Sequence, residues 1–136
     1  MALVEAEHLS KTFTSDENIF ATASGARIRA VDDFSLTIEA GETVGLVGES
    51  GSGKSTLGRM LLRLVEPDSG SIRFDGQDVL AASGSELRRL RRDMQIIFQD
   101  PYGSLDARMT VGQIVCEPIA IHGGESRAGE IGRAHV

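Results

Sequence analysis

The octapeptide Gly48-Glu49-Ser50-Gly51-Ser52-Gly53-Lys54-Ser55 stands between two segments of different periodicity. Before it, Thr43-Val-Gly-Leu-Val47 is a short continuous apolar run that reads as a strand buried on both faces of a parallel sheet. After it, Leu57, Met60, Leu61 and Leu64 recur at i, i+3, i+4 and i+7, the stripe of an amphipathic helix, which Pro67-Asp-Ser-Gly70 is expected to stop. The octapeptide fits the pattern G-x-x-x-x-G-K-[ST], and the strand before and helix after it remove most chance matches. Its glycines let the backbone close into a nest whose N–H groups, backed by the positive end of the helix dipole, converge on phosphate oxygens. Lys54 supplies a compact charge for β- and γ-phosphates, the Ser55 hydroxyl is placed to ligate Mg²⁺, and Thr56 reaches toward an α-phosphate. A purely structural turn needs neither Lys54 nor Ser55, so a nucleoside triphosphate with Mg²⁺ is the expected ligand. The loop by itself leaves kinase, GTPase and ATPase motor open.

Composition removes other classes. At 136 residues the chain fits one domain, and its apolar fraction of 40% is too high for a disordered segment. Cys116 is the single cysteine, so there is no internal disulfide framework and a reducing compartment is expected. No apolar run approaches the ~20 residues of a membrane span. The start, Met1-Ala-Leu-Val-Glu5-Ala-Glu7-His8, lacks the basic and apolar regions of a signal peptide. A net charge of -6 argues against nucleic-acid binding. The one basic cluster, Arg88-Arg89-Leu90-Arg91-Arg92, reads as the solvated face of a helix opened by the capping box Ser83 to Glu86. Lys11 and Lys54 are the only lysines, and Lys11 is expected at the surface.

Val4–His8 and Phe34–Ile38 read as strands, separated by a polar loop from Thr14 to Ala26. Ser71–Phe74 is a short strand ending in the Asp75-Gly76 hairpin signal, and Met94–Phe98 is another, leading to Gln99. The glycine-rich stretch from Ile119 to Val136 is expected to be poorly ordered.

Three further stretches extend the pattern: Ala30-Val-Asp-Asp-Phe-Ser-Leu36, Pro67-Asp-Ser-Gly-Ser-Ile-Arg-Phe-Asp-Gly76, and Met94-Gln-Ile-Ile-Phe-Gln99-Asp-Pro-Tyr-Gly-Ser-Leu105 continuing through Arg108-Met-Thr-Val111 to Glu117-Pro118. Together with the phosphate loop they resemble the front part of an ABC transporter ATPase subunit, in the branch of the oligopeptide and dipeptide permeases. The resemblance covers residues 1–118 as the N-terminal part of a nucleotide-binding domain, with 119–136 as a tail. It implies an α/β fold of the P-loop NTPase type with an N-terminal antiparallel β subdomain, cut short before the helical subdomain and the Walker B strand. ATP and Mg²⁺ are the implied ligands. By resemblance, Phe13 is the aromatic that stacks on adenine, a contact of about 0.5–1.5 kcal/mol beyond area burial. Gln99 corresponds to the Q-loop glutamine, which approaches Mg²⁺ and the attacking water, and Asp100-Pro101-Tyr102 lies toward the membrane partner.

The resemblance further implies a second ATPase subunit, identical or not, transmembrane permease subunits, and a place on the cytoplasmic face of the membrane. Ala107 stands where the family often has proline, which leaves that loop's shape less defined. No Leu-Ser-Gly-Gly-Gln signature, Walker B Asp-Glu strand or switch histidine occurs in the 136 residues, and His8, His122 and His135 read as ordinary histidines. The chain alone is therefore expected to bind ATP–Mg²⁺ without efficient hydrolysis, and to expose apolar surface that a longer domain would cover. Two other readings stand beside this one: a stand-alone, non-hydrolysing nucleotide-binding or regulatory fragment, and an ABC ATPase without a membrane partner. The Gln99–Val111 stretch and the acidic charge argue against the latter.

Overall fold

The computed structural model describes residues 2–14, 27–100, 103 and 105–122, in two units, Met1–Leu90 and Arg91–Val136. In the first unit, β1 (Ala2–Thr14) and β2 (Arg27–Glu39) run antiparallel from the pair Ala2 and Glu39 to the pair Thr14 and Arg27. Both strands are longer than the alternating patterns at Val4–His8 and Phe34–Ile38, because pairing with a long partner satisfies backbone groups even where the side-chain alternation lapses. Irregularities in the register absorb those lapses. Two of the residues concerned, His8 and Asp33, take left-handed backbone with φ of 52 and 49. Of the segment read as a loop from Thr14 to Ala26, Thr14 ends β1 and residues 15–26 lie outside the described residues.

On the other edge of β1 lies β3 (Ser69–Phe74), followed by β4 (Gln77–Asp78), giving the order β2-β1-β3-β4 with every pairing antiparallel among the described residues. Asp75 and Gly76 both have positive φ, 47 and 72, as a two-residue turn of type I′ requires. The expected antiparallel β subdomain is therefore present. Its core gathers Ala6 and Leu9 of β1, Val31 of β2 and Ile72 of β3 with Val79, Leu90 and two residues of the helix that follows the phosphate loop.

That helix, α1 (Lys54–Leu61), buries Leu57 and Met60. It ends well before the expected stop at Pro67. The N–H groups of Arg63 and Leu64 bond back to the carbonyls of Met60 and Arg59, both at 2.8 Å, closing a Schellman turn with Arg63 in the left-handed position at φ 50. The Arg63 guanidinium bonds the Ala82 carbonyl at 2.7 Å and the Glu66 carboxylate, tying the helix end to the chain beyond β4. In α2 (Gly84–Asp93) the expected capping box is seen from its acidic side, with the Ser83 N–H donating to Glu86 Oε2 at 2.7 Å. Leu90 is buried while Arg88, Arg89 and Arg92 are exposed, as the charge pattern requires.

Two expected strands do not form. Thr43–Val47 and Met94–Phe98 are irregular, and Val47 and Ile97 are 95% and 97% exposed. A strand buried in a parallel sheet needs neighbours delivered by crossover connections. Among the described residues nothing pairs with either stretch. Conversely, the sequence reading missed α3 (Val111–His122). Its start carries a capping box, Thr110 N–H to Gln113 Oε1 at 2.8 Å and Gln113 N–H to Thr110 Oγ1 at 3.3 Å, and this T-x-x-Q signal was legible. The helix continues past Pro118 into the stretch expected to be poorly ordered. Residues 123–136 lie outside the described residues.

Candidate functional site

The phosphate loop runs from the irregular segment at Leu46–Val47 into α1, and two of its glycines, Gly51 and Gly53, are required by backbone conformation. Gly51 and Gly53 have φ of 84 and 90, which a β-carbon disfavours. At Gly53 a β-carbon would also collide with the carbonyl oxygen of Ala30 in β2, and at Gly48 it would come within 2.7 Å of Ser52 Oγ. The loop is therefore folded tightly on itself and packed against the edge of the sheet. A turn bond from Ser52 N–H to the Glu49 carbonyl, 3.2 Å, closes its middle.

Lys54 bends back over this loop. Its ammonium donates to the carbonyls of Gly48 and Glu49 at 2.7 and 2.6 Å and to Ser52 Oγ at 3.1 Å. These three acceptors use all three ammonium protons. Two of them are neutral carbonyls; a phosphate oxygen is a charged acceptor and makes the stronger bond, so an arriving phosphate competes well for the same protons. At the start of α1 the N-cap is Gly53, with no side chain to cap the first N–H groups, and these have no acceptor within the helix. Ser55 is exposed there and Thr56 half-buried. The donor set thus comprises one ammonium, the leading amides of a helix and two hydroxyls, all suited to an anion with several oxygens. A cavity of about 410 Å³ lies beside the loop, lined by Arg29–Asp32 and Phe34 of β2 together with Val47, Gly48, Gly53, Lys54 and Leu57.

Of the expected site residues, Gly48 to Thr56 come together as one loop and helix start. Phe13 lies on β1, one strand away from the loop, and is not among the residues lining that cavity. It pairs with Ile28, two residues along β2 from Ala30, whose carbonyl abuts Gly53. With ~3.4 Å per residue along a strand and ~4.8 Å between strands, this puts the Phe13 backbone within about 8 Å of that contact strand position. Gln99 belongs to the other unit, where it is exposed at the end of the irregular Met94–Phe98 stretch. Asp100 accepts the Gly103 N–H at 3.1 Å, while Pro101 and Tyr102 lie outside the described residues. On either side of Ala107, the Arg108 guanidinium makes a fork to the Asp106 carboxylate (3.0 and 2.8 Å). That pair holds the Asp106 carboxyl below its ordinary value, chiefly through the Arg108 hydrogen bond. Among the described residues no group of three or more His, Cys, Asp and Glu side chains could hold a metal ion. No helix among them is long and apolar enough to cross a membrane. The sequence reading missed Lys11, which is not a surface residue: its side chain is 17% exposed and ion-paired with Asp68.

Comparison with known proteins places this loop and sheet in a wider context. The family model described as ABC transporter matches residues 31–133. A putative peptide import ATP-binding protein of Brucella ovis is 53% identical over 109 residues, which is 80% of this chain and 34% of the relative. The glutathione import ATP-binding protein GsiA of Salmonella paratyphi A is 57% identical over 96 residues, 71% of this chain and 15% of the relative. The chain thus spans about a third or less of the length of these relatives. Among solved structures, the dimeric ATP-binding cassette MJ0796, in a post-hydrolysis state with ADP and Pi, aligns with a TM-score of 0.76 and 27% identity, covering 97% of this chain and 54% of that one. The fold is that of an ABC ATPase cassette, short of the length of a whole one. On the family match, the relatives and the fold together, the chain belongs to the ABC transporter family.

Proposed function

We propose that residues 1–118 form the N-terminal part of a nucleotide-binding domain that holds ATP–Mg²⁺ on the Gly48–Thr56 loop, in a subunit that energises import of peptides or similar small solutes. The observation that carries the nucleotide reading is the Lys54 ammonium gathered over its own loop at the uncapped start of α1. The names of the relatives, peptide and glutathione import proteins, support the transport reading. Lys54 exchanges its carbonyl acceptors for β- and γ-phosphate oxygens, and the leading amides of α1 donate to the same chain of phosphates. Ser55 would offer its hydroxyl to Mg²⁺, and by the family resemblance Gln99 is the other candidate ligand. A metal ion held there would supply charge neutralisation on the phosphates. Phe13, close to the loop through the sheet, takes the adenine. The assembly in which this happens pairs the domain with a second ATPase subunit and with permease subunits at the cytoplasmic face of the membrane.

Titration with a fluorescent ATP analogue in the presence of Mg²⁺ tests the reading. Saturable binding that Lys54→Ala weakens at least tenfold is the expected result, and unchanged binding by Lys54→Ala would overturn it. Since the 136 residues contain neither a signature motif nor a Walker B glutamate, phosphate release by this chain alone is expected to be negligible. Steady turnover abolished by Lys54→Ala would contradict that expectation.

A further inference from the structure

Lys11 occupies a constrained place for a lysine, on the interior strand β1. Its Nζ donates to Asp68 Oδ1 at 2.9 Å and lies 5.5 Å from the centre of the Phe13 ring. The second oxygen of Asp68 accepts the backbone N–H of Thr12 at 2.7 Å, and the N–H of Asp68 donates to the Ser10 carbonyl at 2.8 Å. One residue at the entrance to β3 therefore grips three successive residues of β1, each just before Phe13. An ordinary surface ion pair orders long side chains for little return. This one differs, because the lysine is largely withdrawn from water and both carboxylate oxygens are used. The hydrogen bonds from Lys11 and Thr12 hold the Asp68 carboxyl below its ordinary range.

The register connects this clamp to the phosphate loop. Lys11 stands opposite Val31, and Val31 Cγ2 lies 3.6 Å from the β-carbon position of Gly53. Lys11 and Phe13 are two residues apart on β1, so they share a face of the strand, with the ammonium over the ring. A cation over one face of a phenyl ring is attracted by its quadrupole, and it fills that face.

We propose that Lys11 and Asp68 are positioning residues for a nucleobase platform: the Lys11 ammonium, anchored by Asp68, covers one face of Phe13 and holds the ring so that its other face receives a purine. This rests on the reading of Phe13 as the base contact. Lys11 and Asp68 lie outside the Gly48–Thr56 loop, so their effect is expected to fall on the base and to leave the phosphate chain alone.

Calorimetric titration of the intact protein with ATP and with inorganic tripolyphosphate, both with Mg²⁺, separates the two effects. Phe13→Ala is expected to weaken ATP and leave tripolyphosphate unchanged. Lys11→Met, which keeps the apolar stem, is expected to weaken ATP about two- to fivefold with tripolyphosphate unchanged. It should have no further effect in a Phe13→Ala background, and Lys11→Arg should restore most of the loss. Equal weakening of both ligands by Lys11→Met, or full additivity with Phe13→Ala, overturns the proposal. If Phe13→Ala leaves the ratio of the two affinities unchanged, the reading of Phe13 itself fails, which is a separate outcome. Should Lys11→Met not fold, Lys11→Gln, uncharged but still able to donate to Asp68, carries the same expectation.

Discussion

Gly53 holds its bare α-carbon against the carbonyl oxygen of Ala30, with no room for a β-carbon between the phosphate loop and β2. The same residue needs φ of 90 to turn the chain into α1. Gly53→Ala is expected to cost at least ~1–2 kcal/mol for the left-handed backbone alone, with the collision in addition, and to abolish nucleotide binding. Gly58 is the contrasting case. It lies inside α1 with nothing within 4 Å of a β-carbon, so Gly58→Ala should stabilise by about 0.5–1 kcal/mol through helix propensity. Thermal melts of the two variants followed by circular dichroism check both signs.

The core and the exposed apolar stretches should respond oppositely to truncation. Leu9 is fully buried, and Leu9→Ala is expected to cost ~2–5 kcal/mol. In the 136-residue chain Val47→Ser should change stability by no more than ~0.5 kcal/mol, because Val47 has almost no packing to lose. Dye binding gives a second readout: the chain should bind an apolar fluorescent dye and self-associate with rising concentration, and the double variant Val47→Ser, Ile97→Ser should do both less. A Val47→Ser loss as large as that of Leu9→Ala would mean the stretch is buried.

His8 and Asp33 face each other at 2.7 Å from two left-handed positions, and the Asp33 hydrogen bond raises the His8 pKa above 6.5. A raised histidine adds stability that is fully present below pH 6.5 and is lost as pH climbs through the folded-state value. The melting-temperature difference between wild type and His8→Gln should therefore be largest near pH 5.5–6 and shrink toward pH 9. Both side chains are exposed, so the difference should also fall with added salt. A difference that grows with pH would contradict the assigned partner.

Asp68 has the opposite sign. Its carboxyl is held below 3.8, first by the Lys11 hydrogen bond and then by the Thr12 N–H. The stability it contributes is complete above that value and disappears as pH falls through the lowered one. Melts of wild type and Asp68→Asn should differ at pH 5–7 and converge toward pH 2.5. A constant difference across this range would mean that the packing of Asp68, and not its charge, matters.

Much of the candidate site was legible because it is local. Gly48 to Ser55 state their own geometry through glycine spacing, Ser83 and Glu86 announce a helix start three residues apart, and Asp75-Gly76 prescribes its turn. Thr110 and Gln113 carried the same kind of signal for α3. Lys11 could not be read this way, since its partner is 57 residues away and nothing near it in sequence distinguishes a clamped lysine from a solvated one.

What the sequence determined by itself is therefore whatever neighbouring residues settle among themselves: the phosphate loop with Lys54 at the head of α1, the caps, and the hairpin. What only the tertiary structure decided is which stretches find partners. β1 and β2 pair across their full 13 residues, well past their alternating cores, whereas the apolar runs at Thr43–Val47 and Met94–Phe98 stand unpaired among the described residues. The physical reason is that a strand's hydrogen bonds and both its faces are completed by other parts of the chain, so apolarity identifies a segment fit for burial but not the segment that will bury it.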